Sequence, residues 1–150
     1  MTTESSSRPT STDVLLDTNV ISELRRPARA HRNVVAWANA VPAASFFMSA
    51  ISILEIELGA RLTARRDAAQ GAALRTWIDN QILVRFEDRI LAVDTAVAQR
   101  CARLHVPNPR AERDALIAAT ALVHSLTVVT RNVADFEPTG VPLLNPWDAA

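Results

Sequence analysis

The amino-acid sequence predicts an α/β domain built on a mostly parallel sheet. Short apolar runs rich in Val, Leu and Ile alternate along the chain with longer segments of helical periodicity. This alternation is typical of parallel strands joined by crossover helices, since helices cover both faces of a parallel sheet. The 150 residues suffice for one domain with its own hydrophobic core, and we find no internal repeat and no linker to a second domain.

The first half of the chain is predicted to hold two strands and four helices. Residues 1–12 are rich in Ser and Thr without periodicity, so we expect a flexible tail there and a folded domain over 13–147. Buried strands are expected over 14–16, ending at Asp17, and over 45–48. Proline ends a helix. The predicted helices run from about 19 to the residue before Pro27, over about 33–40 before Pro42, from about 49 to 65, and over about 68–82.

The second half continues the alternation. Asp94 has the position of an N-cap for a helix that reaches about His105, before Pro107 and Pro109 break it. Glu112 begins a further helix, which carries no charge from 115 to 123. Strands are predicted over 90–93, 126–130 and 141–144.

The charge composition excludes several function classes. Sixteen arginines balance sixteen acidic residues, and the chain contains no lysine. P-loop ATPases and Schiff-base enzymes are excluded because both need a lysine amine. Net neutrality argues against a simple polybasic nucleic-acid binder, although it leaves local basic patches possible.

Cysteine, histidine and hydropathy narrow the choice further. Cys101 is the single cysteine, so a disulfide framework and a thiolate zinc cluster are excluded, and the three histidines do not have metal-pair spacing. Cys101 shares a helical stripe with Val97 and Leu104, which predicts a core position. The polar N-terminal stretch lacks the apolar segment of a signal peptide, and no segment approaches the ~20 apolar residues of a membrane span. We therefore expect a cytoplasmic protein that does not enter a membrane.

Three acidic residues are expected at one edge of the predicted sheet. Asp17 follows the first strand, and Asp135 lies in the loop after the strand that ends at Thr130. Asp114 lies in the first turn of the helix that leads into that strand. Binding sites in open parallel sheets collect at the carboxyl ends of strands, beside helix N-termini. The predicted topology therefore brings these three carboxylates together.

Glu55 joins this group through a helical-wheel argument. At about 100° per residue it shares a sector with Ile51, Leu58 and Leu62, whereas Glu57 falls well away from that sector. A carboxylate on an inward-facing apolar stripe is costly unless something pairs with it. We therefore predict that Glu55 faces inward, toward the other acidic residues.

Each of these acidic residues also has a purely structural explanation. Asp17 could cap the helix that follows it, Asp114 could interact with the helix dipole, and Asp135 could form an Asx turn. Ser52 and Glu55 match the pattern of a capping box.

Together, however, four carboxylates facing one pocket would repel one another strongly, and no lysine can compensate them. Bound divalent cations are the usual remedy, and oxygen ligands suit Mg²⁺ or Mn²⁺. Such a pocket, without a nucleophilic Ser, Cys or His, predicts phosphodiester hydrolysis by metal-activated water.

Four motifs in this order resemble the PIN-domain ribonucleases, and more narrowly the VapC toxins of bacterial toxin–antitoxin pairs. The resemblance runs from about residue 13 to Trp147, and the ordered set is more specific than any one of its members. The motifs are Leu15-Leu16-Asp17-Thr18-Asn19, Ser52-Ile-Leu-Glu55, Arg113-Asp114-Ala-Leu-Ile-Ala-Ala-Thr and Thr130-Arg-Asn-Val-Ala-Asp135-Phe.

The resemblance implies a PIN-like three-layer fold and a Mg²⁺-dependent endoribonuclease, with Mn²⁺ as a substitute, acting on structured RNA such as tRNA or ribosomal RNA. It further implies a VapB-like antitoxin partner that blocks the site, a homodimer, and promoter DNA binding only through the antitoxin. It assigns metal binding and catalysis to Asp17, Glu55, Asp114 and Asp135, and supporting roles to Asn19, Thr130 and Asn132.

Two other function classes stay open at this point. A haloacid-dehalogenase-like phosphatase would use Asp17 as its nucleophile, but it wants a second aspartate where Asn19 stands and usually a lysine. A non-catalytic module such as a receiver domain would lack Glu55 and Asp135 and would also need a lysine.

For several other residues, the sequence leaves open whether they serve packing or function. Asp94 is explained by its N-cap position, and Trp37, Trp77 and Trp147 favour packing or a dimer interface over base stacking. Two arginine clusters are either solvated helix faces or contacts to RNA phosphates, since arginine binds phosphate in a bidentate manner. They are Arg25, Arg26, Arg29 and Arg32, and Arg61, Arg65 and Arg66.

Overall fold

A computed structural model describes residues 12–148 of the chain. Nearly all of the predicted N-terminal tail therefore lies outside the described residues. Within them, no helix combines the length and apolar character needed to cross a membrane.

The centre of the fold is a five-stranded sheet, and all four strand pairings are parallel. The spatial order is β3-β2-β1-β4-β5, so the first strand lies in the middle, with Val14 beside Phe46 of β2 and Thr127 of β4. The predicted α/β class is confirmed. The strands are β1 Val14–Leu16, β2 Phe46–Ser49, β3 Ile90–Leu91, β4 Thr127–Val129 and β5 Leu143–Leu144.

Helices connect the strands, close to the predicted positions. They are α1 Thr18–Glu23, α2 Arg32–Asn39, α3 Ala50–Arg66, α4 Ala68–Trp77, α5 Leu83–Arg85, α6 Thr95–Leu104, α7 Glu112–His124 and α8 Val133–Phe136. Several features differ from the prediction: β3 is shorter than predicted, Ser45 lies in a 3-10 helix before β2, and α5 was not predicted. The helix predicted over 68–82 changes to a π-helix at Ile78–Ile82, and the loop after β4 contains the short helix α8.

Alternate residues of β1 face opposite sides of the sheet, which gives the fold three layers. Leu16 packs on one side with Val20 of α1 and Ile56 of α3, whereas Leu15 packs on the other with Ile117 and Ala118 of α7. Burying large apolar side chains in this way contributes about 1.5–3 kcal/mol each. The three-layer prediction is confirmed, and it fixes the ends of β1 and β4 in the middle of the molecule.

Several smaller predictions also agree with the structure. The Asp94 side chain accepts a hydrogen bond from the Val97 N–H and caps α6. Cys101 is buried between α6 and α7, as its stripe predicts. The three tryptophans pack against the core on the α1 side of the sheet: Trp37, Trp77 and Trp147.

Candidate active site

Asp17 is the most buried of the four predicted carboxylates. It ends β1, caps α1, and is only 6% exposed. Its Oδ1 accepts the Thr18 backbone N–H at 2.8 Å, and its Oδ2 accepts the Thr130 hydroxyl at 2.8 Å. Burial raises the pKa of Asp17, the two hydrogen bonds act against that rise, and the charges of Glu55 and Asp135 add to it. The predicted helix cap therefore exists, and the same carboxylate also faces other negative charges.

A polar network holds the ends of β1 and β4 together around Asp17. The Thr130 hydroxyl accepts the Asn132 backbone N–H at 2.9 Å while it donates to Asp17. The Asn19 amide nitrogen lies 3.4 Å from both Asp17 Oδ2 and Thr130 Oγ1, and its oxygen accepts the Arg131 N–H. Asn19 and Thr130 thus contact Asp17 directly, whereas Asn132 contributes its backbone.

Glu55 reaches the same region from α3. Its Oε1 accepts the Thr18 hydroxyl at 2.6 Å, and its Oε2 lies 3.8 Å from the Arg113 guanidinium. Neither Thr18 nor Arg113 was predicted from the sequence as a partner of Glu55. Thr18 is adjacent to Asp17 within the first motif, which was a usable signal, whereas the Arg113 contact depends on how α3 and α7 pack.

The predicted reason for the placement of Glu55 was wrong. Leu58 and Leu62, its proposed stripe neighbours, are 37% and 52% exposed, and the buried face of α3 instead carries Ser52, Ile56 and Ala60. Periodicity locates an apolar stripe but does not say which stripe the rest of the protein covers. Glu55 lies at the border between the two faces and is partly buried.

The capping box is also wrong. Helix α3 begins earlier than that pattern requires, with Ser49 as its N-cap accepting the Ile51 N–H at 2.9 Å. Ser52 lies inside the helix, and its buried hydroxyl has no hydrogen-bond partner within residues 12–148. Glu55 therefore does not serve the helix terminus.

Asp114 and Asp135 complete the group from α7 and α8. Asp114 is partly buried and Asp135 is exposed, and within the described part of the chain neither carboxylate makes a hydrogen bond or ion pair. The Asx turn suggested for Asp135 is not formed. Burial raises the pKa of Asp114, and the charges of Asp17, Asp135 and Glu55 raise it further. The structure thus brings all four predicted carboxylates within electrostatic reach of one another.

The donor set of this pocket fits a hard divalent cation. Its ligand atoms are carboxylate oxygens, its negative charges are mutually repulsive, and two carboxylates are left without partners in the described chain. The Arg113 guanidinium, at the edge of the pocket, offers one positive charge to Glu55 only. Oxygen-rich, negatively charged pockets of this kind are the ones that Mg²⁺ and Mn²⁺ prefer.

A second group of potential ligands lies between α6 and α7. Cys101, His105 and Glu112 place one ligand atom each within 4.8 Å of one another. His105 Nδ1 accepts the Arg110 N–H, so neutral His105 carries its proton on Nε2, the atom that faces Glu112. Burial, followed by the charge of Glu112, raises the pKa of the Cys101 thiol. This chemistry favours a packing cluster over a metal site.

The sequence over residues 14–137 matches the family model of the PIN domain. The chain belongs to the PIN domain family. All four acidic residues of the pocket lie inside the matched segment.

Relatives of this PIN domain include toxins and ribonucleases. It is 37% identical over 139 residues to Toxin FitB of Neisseria gonorrhoeae, covering 89% of this chain and 98% of that protein. It is 32% identical over 142 residues to VapC ribonuclease Y4jK of Sinorhizobium fredii, covering 91% and 99%. These similarities place the chain among the VapC-like members of the family.

Solved structures agree with this placement. The structure of FitAB bound to an IR36 DNA fragment matches this PIN domain with a TM-score of 0.82 at 36% identity, covering 91% of this chain and 97% of that one. The structure of DNA-bound VapBC from Salmonella typhimurium, at 21% identity and a TM-score of 0.71, shares the fold.

Proposed function

We propose that this PIN domain is a metal-dependent endoribonuclease and the toxin of a toxin–antitoxin pair. The observation that carries the proposal is the convergence of four mutually repelling carboxylates at the carboxyl ends of β1 and β4. The names of the relatives, a toxin and a VapC ribonuclease, supply the reaction class.

Asp17, Glu55, Asp114 and Asp135 would hold Mg²⁺, or Mn²⁺ in its place. When bound, the cation supplies an activated water and neutralises charge that develops on the phosphodiester oxygens. The protein holds the carboxylate oxygens in place. Thr130 and the Thr18 N–H fix both oxygens of Asp17, and the Thr18 hydroxyl fixes one oxygen of Glu55.

The carboxylates of the pocket differ in their exposure to solvent, and this difference suits a substrate that binds from solvent. Asp17 and the Thr18 contact form the protected floor of the pocket, whereas Asp135 and the Arg113 guanidinium are exposed at its rim. An RNA backbone can therefore approach the rim while the floor keeps its geometry. We propose structured RNA, either tRNA or ribosomal RNA, as the substrate, and the cytoplasm as the compartment.

The proposed protein partner is a VapB-like antitoxin. The solved relatives include toxin–antitoxin complexes, among them FitAB and VapBC bound to DNA, and we propose that promoter DNA contacts this chain only through its antitoxin. A cavity of about 270 Å³ is lined in part by Leu24, Phe46 and Trp77, with Arg85 and Arg89 also in its lining, and offers space for a segment of such a partner that carries both apolar and acidic side chains.

The two alternative function classes have less support. At the position where a haloacid-dehalogenase-like phosphatase wants a second acid, Asn19 instead contacts Asp17 and Thr130 as a neutral amide. A receiver-like binding module needs a lysine, which the chain lacks.

The test is a cleavage assay on total RNA. We expect cleavage in Mg²⁺ or Mn²⁺, none in chelator, and recovery when the metal is restored, with loss of about three orders of magnitude or more for Asp17→Asn. Asp94→Asn is the matched control, since asparagine caps a helix as well as aspartate does. Cleavage that persists in chelator, or equal loss in both variants, would contradict the proposal.

An exposed apolar strip on α3 supports the proposed homodimer. Leu54, Leu58 and Leu62 are spaced four residues apart and are 48%, 37% and 52% exposed. The two carboxylates of α3 are engaged within their own chain, Glu57 by the Arg75 guanidinium at 2.7 Å and Glu55 at the acidic pocket, so the apolar strip itself carries the argument for the interface. An antiparallel pairing of α3 with its copy would bury the strip on both chains.

Leu58→Asp tests this interface, because in that pairing Leu58 lies against its own copy. We expect the wild type to dimerise with rising concentration and the variant to stay monomeric in analytical ultracentrifugation, since two like charges would meet at the centre. Val84→Asp is the control, because Val84 is 61% exposed and lies outside the strip. A monomeric wild type, or a variant that dimerises equally well, would refute the interface.

A further inference from the structure

A concave patch of arginines lies at the far end of α1 from the acidic pocket. It has a volume of about 370 Å³ and is lined by Ser22, Glu23, Arg25, Arg26, Arg29 and Gln70. We call this set of residues the arginine pocket. A turn closed by the Arg29 N–H on the Arg26 carbonyl brings those two residues to one side of the loop between α1 and α2.

The arginine pocket has an excess of positive charge that the described chain does not compensate. None of its three arginines forms an ion pair within residues 12–148, and Arg25 only lies over the Trp77 ring at 5.8 Å. The one carboxylate of the lining, Glu23, already accepts the His31 N–H at 2.7 Å at the start of α2. Burial and the neighbouring Arg26 charge lower the pKa of Arg25, as expected where like charges are crowded together.

The position of the arginine pocket relates it to the proposed reaction. Helix α1 begins beside Asp17 and has six residues, so its length separates the two sites by about 9 Å. Each strand of a nucleic-acid duplex carries one phosphate charge per about 3.4 Å of helix axis, so the separation corresponds to a few nucleotides.

Electrostatics give a reason for a second anion site at this distance. Four carboxylates carry more charge than one divalent cation, so the acidic pocket still repels a polyanionic RNA when one such cation is bound. A cluster of guanidinium groups nearby can offset that repulsion and can bind phosphate oxygens in a bidentate manner. The Ser22 hydroxyl and the Gln70 amide add neutral hydrogen-bond donors to the same lining.

We propose that the arginine pocket binds backbone phosphates of the RNA substrate, a few nucleotides from the bond that is cleaved. This inference rests on the proposed ribonuclease function. Arg26 and Arg29 supply most of the contact because they are exposed, whereas Arg25 is partly engaged with Trp77.

The test compares two double variants with the same change in net charge. Arg26→Ala/Arg29→Ala removes the proposed phosphate ligands, and Arg100→Ala/Arg103→Ala removes two arginines from α6. We expect the first variant to raise KM for cleavage of bulk tRNA about tenfold with kcat nearly unchanged, and the second to change neither. Circular dichroism checks that both are folded.

A binding experiment separates phosphate binding from other causes. In the Asp17→Asn background, the slope of log K against log salt for bulk tRNA should fall by about one for each phosphate that the alanine variant no longer binds. Arg26→Lys/Arg29→Lys should retain most of the slope, since lysine keeps the charge but not the bidentate geometry.

The outcomes distinguish the two proposals. If the wild type cleaves no RNA, the proposed function fails. If it cleaves RNA and the Arg26/Arg29 variant matches the α6 control in KM and salt slope, the arginine pocket does not bind substrate. Loss of antitoxin binding with unchanged KM would overturn the inference in favour of a protein ligand for the same arginines.

Discussion

The Thr18 side chain couples two of the proposed metal ligands. Its backbone N–H binds Asp17 and its hydroxyl binds Glu55 at 2.6 Å, so one residue of α1 sets the relative position of carboxylates from β1 and α3. Removing the hydroxyl leaves the helix cap intact but frees the Glu55 carboxylate. Thr18 is therefore a positioning residue in the proposed reaction.

Thr18→Val should lower kcat for RNA cleavage by roughly ten- to a hundredfold, because small misplacements of reacting groups have effects of that size. Valine retains the shape of threonine, so the urea midpoint should change little. Thr18→Ser restores the hydroxyl and should recover most of the activity. Equal kcat in wild type and Thr18→Val would show that Glu55 does not need this hydrogen bond.

At the residue scale, the position of a site residue could be predicted from the sequence where that residue directly follows a strand. Asp17 and Thr130 each follow a predicted strand, and parallel strands bring their carboxyl ends together. The surroundings of Glu55 could not be predicted, since they depend on which faces of α3 are covered by α1 and α7. The Arg113 contact has the same origin.

At the scale of elements, the hairpin of α3 and α4 depends on a close approach at Gly71. A Cβ added there would lie 2.5 Å from the Ala64 Cα, inside van der Waals contact, so the two helices could not keep their spacing. Gly59, in contrast, lies on an exposed part of α3, and an added Cβ would meet nothing within 4 Å.

These two glycines give opposite predictions. Gly71→Ala should destabilise the protein by about 1–3 kcal/mol through overpacking. Gly59→Ala should stabilise it by about 0.5–1 kcal/mol, because alanine favours the helix and restricts the unfolded chain. Urea unfolding followed by circular dichroism measures both. Destabilisation by Gly59→Ala would mean that something absent from the monomer approaches that face.

The π-helix and the short helix α8 were not predicted, because neither has a sequence pattern that distinguishes it from an α-helix or a loop. Ile78 and Ile82, at the two ends of the π-helix, are both buried, and their spacing of four fits an α-helix equally well. Helix α8 has four residues, too few to show a helical period. The order of the strands follows from the packing of the whole chain and not from any one segment.

At the scale of the whole molecule, neutrality conceals a separation of charge. With four acids drawn into one pocket, twelve acidic residues elsewhere in the sequence oppose sixteen arginines. Stability should therefore depend on pH and on metal in a coupled way. The raised pKa values of Asp17 and Asp114 mean that the folded protein holds protons more tightly there than the unfolded chain does.

The sign of the effect follows from this difference. The stability contributed by these two groups is fully present below their unfolded pKa of about 3.8 and is lost as pH rises through the raised folded values. In chelator, Asp114→Asn should reduce the loss of stability between acid and neutral pH relative to wild type.

A bound metal ion should increase the stability of the folded protein at neutral pH, which offsets the loss of stability that a rise in pH causes. Mg²⁺ at a hundred times its Kd should stabilise the wild type by about 2.7 kcal/mol and Asp17→Asn far less. Thermal melting with and without chelator measures both effects. Equal midpoints with and without Mg²⁺ would argue that the pocket does not bind the ion.

The central place of β1 has a consequence for regulation. Asp17 donates its backbone N–H to Val129 on β4, and the strand that leads to it is buried on both faces between the two halves of the core. The floor of the proposed active site therefore belongs to the well-packed part of the domain, where local opening is least favourable. We therefore expect that an inhibitor of the proposed activity does not act by loosening this floor. We expect it to leave the floor intact and to block access from solvent, so that an inhibited molecule regains activity as soon as the inhibitor is removed.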